Sequence, residues 1–256
     1  MTYSITAVFP AYNDEHTIAE IIQHTAAELK TITEDFEVVV VNDGSLDHTA
    51  QVLDRVAGEI GEVRVIHHGY NRGYGAAITT GFRNATKDLI FYTDGDGQYD
   101  VREIHNLISA LGPDIGLVNG FKTRRSDAWY RTWIGEVYRR SMRVIFDLPI
   151  RDVDCDFRLF RRSILDVVTL KSDNGAFCVE MIRKFQLAGV AMAEVPVTHL
   201  PRRHGHSQFF SIRHLARVLP GIFTIWCDLV LLARLDSSES THARTPLQET
   251  ETSTKG

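Results

Sequence analysis

At 256 residues the chain has room for one large domain or two small ones. A hydrophobic share of 44% and a charged share of 24% are those of an ordinary globular protein, and a net charge of −5 argues against a nucleic-acid binder with a wholly basic surface. The three cysteines, Cys155, Cys178 and Cys227, match no zinc or disulfide spacing and are expected as reduced thiols in a cytoplasmic protein.

Residues 1–4 run straight into a strand-like segment, so no signal peptide is expected. Ile5–Phe9 is a predicted strand stopped by Pro10. In the loop that follows, Asn13 or Asp14 is the expected N-cap of a helix with Ile18, Ile21, Ile22 and Leu29 on one face. Phe36–Val41 is almost wholly apolar, as in a parallel strand buried on both faces, and ends on Asn42-Asp43-Gly44-Ser45. Asp47 then caps a helix burying Val52, Leu53 and Val56, and Val63–Ile66 is a short third strand. Asn71–Ala77 is a glycine loop entering a helix; it lacks the spacing of a nucleotide fingerprint and reads as a tight turn letting helix pack on sheet.

A fourth strand, beginning near Leu89, closes on Asp94-Gly95-Asp96-Gly97-Gln98. Side chains alternate along an extended chain, so Asp94 and Asp96 face the same way. Such oxygen ligands suit Mg²⁺ or Mn²⁺, whose shell is commonly completed by substrate phosphates. The plainer alternative is turn chemistry. What decides between them is convergence. Four strands alternating with helices predict an α/β, doubly wound sheet, where ligands sit outside the carboxyl ends of the strands. Residues Pro10–Asp14, Asp43 and Asp94–Asp96 all fall there.

Further on, a helix is predicted over Val101–Leu111, a strand over Ile115–Asn119 and a helix over Tyr130–Phe146. That last helix bears Arg131, Arg139, Arg140 and Arg143 and follows a basic cluster of Lys122, Arg124 and Arg125. Arginines on a helix are by default a solvated face. Asp152–Arg162 alternates acids, aromatics and arginines, with Phe157 and Phe160 expected in the core. Phe177–Leu187 is a helix, with Glu180 open to either a structural or a functional role, and Val190–Val197 a strand. His199, His204 and His206 read as a mobile polar loop, whereas Arg202 and Arg203 beside Gly205 suit a phosphate. The apolar helix over residues 212–235 is interrupted by Arg217, Pro220 and Asp228 and makes a poor membrane span. The expected organisation is a domain over 1–210, an apolar amphipathic helix over 211–235 and a disordered tail over 236–256.

Seven pieces in order resemble the family 2 glycosyltransferases of the GT-A fold, and among them the dolichyl- or polyprenyl-phosphate sugar transferases. They are Pro10–Asp14, Val41–Ser45, Asn71–Ala77, Asp94–Gln98, Asp152–Arg162, Phe177–Glu180 and Pro201–Ser207. The chain departs from the family pattern at Asp14, where glutamate is commoner, and at Cys155-Asp156, where a small residue and glycine are usual. The resemblance implies a GT-A, Rossmann-like fold with a mixed, mainly parallel sheet and helices on both faces. It implies an inverting enzyme that takes a sugar from a nucleotide-sugar donor of the GDP-mannose or UDP-glucose type. Pro10, Tyr12, Asp14, Asp43 and Asp94 would line the nucleotide pocket. Asp94, Asp96 and Gln98 would hold Mg²⁺ or Mn²⁺, with Lys122 and Arg139 among the cations near the phosphates. A lipid-phosphate acceptor, held by Arg202, is already ionised and needs no base. A hydroxyl acceptor needs one, from Asp152, Asp154 or Asp156. Such an enzyme would work in the cytoplasm, at the cytoplasmic face of the membrane.

The 212–235 helix would then lie on an anionic membrane surface, against the competing expectation that it packs on the domain or pairs two copies in a homodimer. Two other classes match the sequence less well. A sugar nucleotidyltransferase wants glycine and a basic residue in the loop after the first strand, and Pro10–Glu15 has neither. A non-catalytic binding module has no need of carboxylates at three strand ends.

Overall fold

The computed structural model describes residues 3–124, 129–201 and 221–231, leaving aside the side chains of 124, 129–135 and 138. Its centre is a seven-stranded sheet: β1 (Ile5–Ala11), β2 (Phe36–Asn42), β3 (Val63–His67), β4 (Leu89–Thr93), β5 (Leu117–Arg124), β6 (Phe157–Arg161) and β7 (Met192–Thr198). The spatial order is β3-β2-β1-β4-β6-β5-β7. All pairs are parallel except those of β6, which runs antiparallel between β4 and β5. The predicted fold class, a mixed and mainly parallel sheet with helices on both faces, is the observed one.

The helices are α1 (Ile18–Ile32), α2 (Thr49–Glu59), α3 (Tyr74–Asn84), α4 (Ile104–Ala110), α5 (Trp129–Phe146) and α6 (Phe177–Leu187). Strand alternation assigns them to faces. Val38 and Val40 of β2 join α1, α2 and α4 in one core, built with Ile22, Leu53 and Leu107. Val39 joins α3, α5 and α6 in the other, with Phe82, Phe146 and Phe177. Because both faces are covered, β2 is buried at every position and apolar over Val38–Val41, with Glu37 near its start and Asn42 at its end the polar members.

Several expectations are corrected. β1 runs through Pro10 to Ala11, and Pro10 lies beyond the last β4 pair, Val8–Tyr92, where the missing N–H breaks no ladder on that side. Neither Asn13 nor Asp14 caps α1; the cap is Thr17, and the Asp14 carbonyl accepts from the Thr17 and Ile18 N–H groups. The 152–162 stretch contains a strand, β6, and β5 extends on to Arg124. His199 is no loose loop residue: it bridges to Tyr99, and their rings meet edge-on at 5.4 Å. The described part of the C-terminal helix places Ile222, Ile225 and Val230 in the α3–α5–α6 core, leaving Phe223 outside. Among the described residues no helix is long and apolar enough to cross a membrane. Arg125, Arg202, Arg203, His204, His206, residues 212–220 and the 236–256 tail lie outside the described residues, as do the side chains of Arg124 and Arg131.

Candidate active site

The register gathers the acidic segments at one sheet edge. Thr93, the last residue of β4, faces Phe157, the first of β6, so the residues before β6 arrive beside Asp94. β5 faces β6 at Asn119–Arg158 and carries on past it, which brings Lys122 to the same edge. The ends of β1 and β2, paired at Ala11–Asn42, complete it on the other side of β4. β1 lies between β2 and β4, so the strand order reverses there, the place where doubly wound sheets bind ligands.

The loops after β1 and β2 lock to each other. Asn13 takes a left-handed backbone (φ 57°), its N–H donates to Ser45 Oγ at 3.0 Å, and its Oδ1 accepts from Leu46 N–H at 2.8 Å. Asp14 N–H donates to Thr49 Oγ1 at 2.8 Å, and the Asp14 carboxylate accepts from Tyr12 N–H at 2.9 Å. Gly95 fits tightly against the first of these loops: a Cβ there would stand 2.7 Å from Ile18 Cδ1 and 3.1 Å from the Pro10 carbonyl. Thr17 Oγ1 donates to the Gly95 carbonyl, tying the turn after β4 to the start of α1.

Asp43 is buried, and its carboxylate grips the glycine loop. It accepts from Arg72 N–H and Gly73 N–H, each at 2.9 Å, and stands 2.6 Å from His68 Nδ1. Gly73 has φ 97°, which L side chains rarely adopt, so glycine is what lets the loop turn inward onto that carboxylate. A cleft of about 500 Å³ opens beside it, bordered by Tyr12, Asn42, Ser45, His67, Tyr70 and Asn71.

Asp94 is partly buried and accepts from the Tyr74 hydroxyl at 2.8 Å. Burial, then the charges of Asp156 and Asp96, push its carboxyl well above the usual range. Asp96 Oδ1 accepts from Gln98 N–H at 3.0 Å, and the Gln98 side-chain amide donates to the Leu200 carbonyl. Asp156 accepts from the Cys178 thiol at 3.1 Å, which burial and Asp156 keep firmly protonated. Asp154 is raised to about 7 by burial and Asp152 against the pull of Lys122.

No three His, Cys, Asp or Glu side chains among the described residues are grouped as a ready-made metal centre. A divalent cation nevertheless fits: Asp94 and Asp96 offer hard oxygens within a crowd of negative charge, and a diphosphate can supply further ligands.

The cations are engaged by the protein itself. Lys122 Nζ donates to the Asp154 carbonyl at 2.7 Å and lies over the Tyr99 ring. Burial pulls its pKa down, but Cys155, Asp152, Asp156 and Asp154 outweigh that and hold it above the ordinary lysine value. Arg139 pairs with Glu136 and lies 4.0 Å from Asp152. A second cleft, of about 320 Å³, is lined by Lys122, Arg139, Arg140, Arg143, Arg151 and Asp152 together with Phe121 and Glu136. Behind it Arg158 is fully buried, donating to Asn119 Oδ1, the Tyr92 hydroxyl and the Val153 carbonyl. Asn119 in turn donates to the Asp152 carbonyl, so these two side chains pin the loop that carries three aspartates.

Sequence reasoning did not find Tyr74, His68, Cys178 or Arg158. Tyr74, a large polar-tipped residue between two glycines where a loop enters a helix, was the one legible signal. Glu180 is buried with its carboxylate on the backbone N–H groups of Lys171 and Ser172.

Residues 6–169 match the profile of the family described as "Glycosyl transferase family 2". The chain is 29% identical over 213 residues to the undecaprenyl-phosphate 4-deoxy-4-formamido-L-arabinose transferase of Enterobacter sp. (strain 638), covering 82% of this chain and 64% of that protein. It is also 29% identical over 215 residues to the protein of the same name from Pseudomonas fluorescens (strain SBW25), covering 82% and 61%. The chain thus spans a little under two thirds of the length of these relatives. Glucosyl-3-phosphoglycerate synthase from Mycobacterium tuberculosis, crystallised with Mn²⁺, uridine diphosphate and phosphoglyceric acid, superposes with a TM-score of 0.68 at 16% identity, over 88% of this chain and 78% of that one. That likeness is one of fold.

Proposed function

We propose, from the premise that the chain belongs to glycosyl transferase family 2, that it moves a sugar from a nucleotide-sugar to a polyprenyl phosphate. The observation that carries this reading is the order of features along one sheet edge: a roomy cleft, an acidic turn, then an arginine-lined cleft. The relatives named for transfer to undecaprenyl phosphate support the acceptor class.

In this reading the nucleoside lies in the first cleft against Tyr12, with Pro10, Asp14 and Asp43 holding the loops that border it. Asp94 and Asp96, with Gln98 beside them, would hold Mg²⁺ or Mn²⁺, which serves to offset the charge that develops on the leaving diphosphate. Lys122 and Arg139 add fixed positive charge near the phosphates, and Arg140, Arg143 and Arg151 attract an anionic acceptor to the second cleft. The acceptor's ionised oxygen attacks the anomeric carbon as the bond to the diphosphate breaks, and no proton has to be removed. Arg202 is assigned to the acceptor phosphate from sequence alone. The catalytic residues are assigned to 1–210, with the C-terminal helix packed on the same core, and the enzyme to the cytoplasmic face of a membrane.

One observation favours a second reading. Asp154, with its carboxyl at about 7, is suited to take a proton from a hydroxyl acceptor at neutral pH, and Asp156 stands near it. The test is a radiolabelled donor panel, UDP- and GDP-sugars with Mn²⁺ or Mg²⁺, offered undecaprenyl phosphate or soluble hydroxyl acceptors. Label should pass to the lipid, and Asp96→Asn should lose transfer by at least about a thousandfold while keeping its melting temperature. Transfer to soluble hydroxyls alone would overturn the lipid assignment and make Asp154 and Asp156 the residues to replace.

A further inference from the structure

Glu180 stands in the first turn of α6, and nothing in the proposed chemistry uses it. It is nonetheless a heavily bonded carboxylate, only 3% exposed. Its oxygens accept from Lys171 N–H at 3.0 and 3.1 Å, from Ser172 N–H at 2.7 Å, and from Lys184 Nζ at 2.5 Å. Lys184 Nζ also donates to the Thr169 carbonyl at 2.6 Å, so both members of the pair fasten the chain just before α6.

The fastened segment presses on the glycine turn that begins α3. Gly75 N–H donates to the Asp173 carbonyl at 3.1 Å. A Cβ on Gly73 would stand 2.3 Å from the Asp173 carbonyl oxygen, and one on Gly75 2.2 Å from that of Ser172. Two backbones this close leave no slack: where residues 172–173 go, residues 73–75 follow. From the opposite side Asp43 takes the N–H groups of Arg72 and Gly73. Between the two glycines lies Tyr74, whose hydroxyl reaches Asp94 Oδ1 at 2.8 Å.

We propose that Tyr74 and Glu180 are positioning residues of the cation site: Tyr74 fixes the Asp94 carboxylate directly, and Glu180 acts on it through residues 171–173 and the glycine turn. The inference rests on the reading of Asp94 as a cation-holding carboxylate. The Tyr74 hydrogen bond occupies one oxygen of Asp94 and fixes the direction of the other. A carboxylate oriented before binding loses less rotational freedom when a cation arrives, so affinity gains without a further ligand. Glu180 needs no contact with the cation, since the tight backbone packing passes its constraint on.

The test is Mn²⁺ binding to the full chain without nucleotide, with the free ion counted by its electron paramagnetic resonance signal. Measurements are made well below each variant's melting temperature. Asp94→Asn, Tyr74→Phe, Glu180→Gln and the Tyr74→Phe/Glu180→Gln double variant are compared with the parent. Tyr74→Phe and Glu180→Gln should each weaken binding by about tenfold, the scale of one lost hydrogen bond to a charged group. The double variant should bind no more weakly than the weaker single one, because both act through one contact. A merely structural Glu180 would lower the melting temperature and leave Mn²⁺ affinity unchanged, which overturns its role. Additive losses would equally show that Glu180 does not act through Tyr74. Unchanged affinity in Tyr74→Phe while Asp94→Asn loses Mn²⁺ would overturn this inference alone. Unchanged affinity in Asp94→Asn would sink the cation reading beneath it.

Discussion

Asp154 shows how one residue's surroundings set its chemistry. Burial and the Asp152 charge raise its carboxyl to about 7, with Lys122 acting the other way. In the unfolded chain the same group titrates near about 4. Between those values the folded protein keeps a proton that the unfolded chain has released. The contribution of this group to stability is therefore full below about pH 4 and is lost as pH rises through 7. Asp154→Asn should remove that decline. By urea denaturation the variant should match the parent near pH 4 and exceed it by roughly 2 kcal/mol at pH 8, about half the full linkage value because the side chain keeps some water. Parallel stability curves for the two proteins would show that the carboxyl titrates normally.

At the scale of elements, Glu37 does for the far end of the sheet what the site does not do for itself. Near the start of β2 its carboxylate accepts from Thr6 Oγ1 on β1, Arg64 on β3, and Thr86 N–H and Oγ1 just before β4. Burial pushes its pKa up, yet the Thr86, Thr6 and Arg64 bonds win and hold it below the usual value. The stabilisation is thus present above the unfolded value and lost as pH falls through the folded one. Glu37→Ala should lower unfolding free energy by roughly 3 kcal/mol at pH 7, with the deficit shrinking on acidification and nucleotide binding unmoved. If the deficit grew at low pH, the carboxylate would not be the group responsible. Much at this scale was legible. The run of four valines in β2 announced a strand covered on both faces, and Asp94 and Asp96 stood at a strand's end. β6 was not legible, because its Arg158, fully buried among neutral acceptors, breaks the pattern of a core strand. The cap of α1 was misread because Ser45 and Thr49, far off in sequence, bond the backbone of Asn13 and Asp14. Tyr74 stood out in the sequence, but its role did not, because its partner Asp94 is twenty residues away.

For the whole molecule, the C-terminal helix sets where the chain can be cut. Ile222, Ile225 and Val230 are buried in the main core, so the boundary expected at 210 divides a packed unit. Ending the chain at 210 should cost roughly 5 kcal/mol, three aliphatic side chains' worth, comparable with a domain's whole stability. Ending it at 235 should leave the melting temperature within a degree or two of the parent. Calorimetry on both truncations checks this, and equal melting temperatures for the two would show that the helix adds nothing to the core. The sheet order has a further outcome during synthesis. β1, which leaves the ribosome before both of its neighbours, is an inner strand: Ile5 pairs with Phe36 on one side and with Leu89 on the other. β2 and β3 can join it early, but its second edge stays open, apolar and able to pair with a stranger until β4 has been translated. The nascent chain is therefore most exposed to misassembly during that interval, and a ribosome-bound chaperone would matter most there.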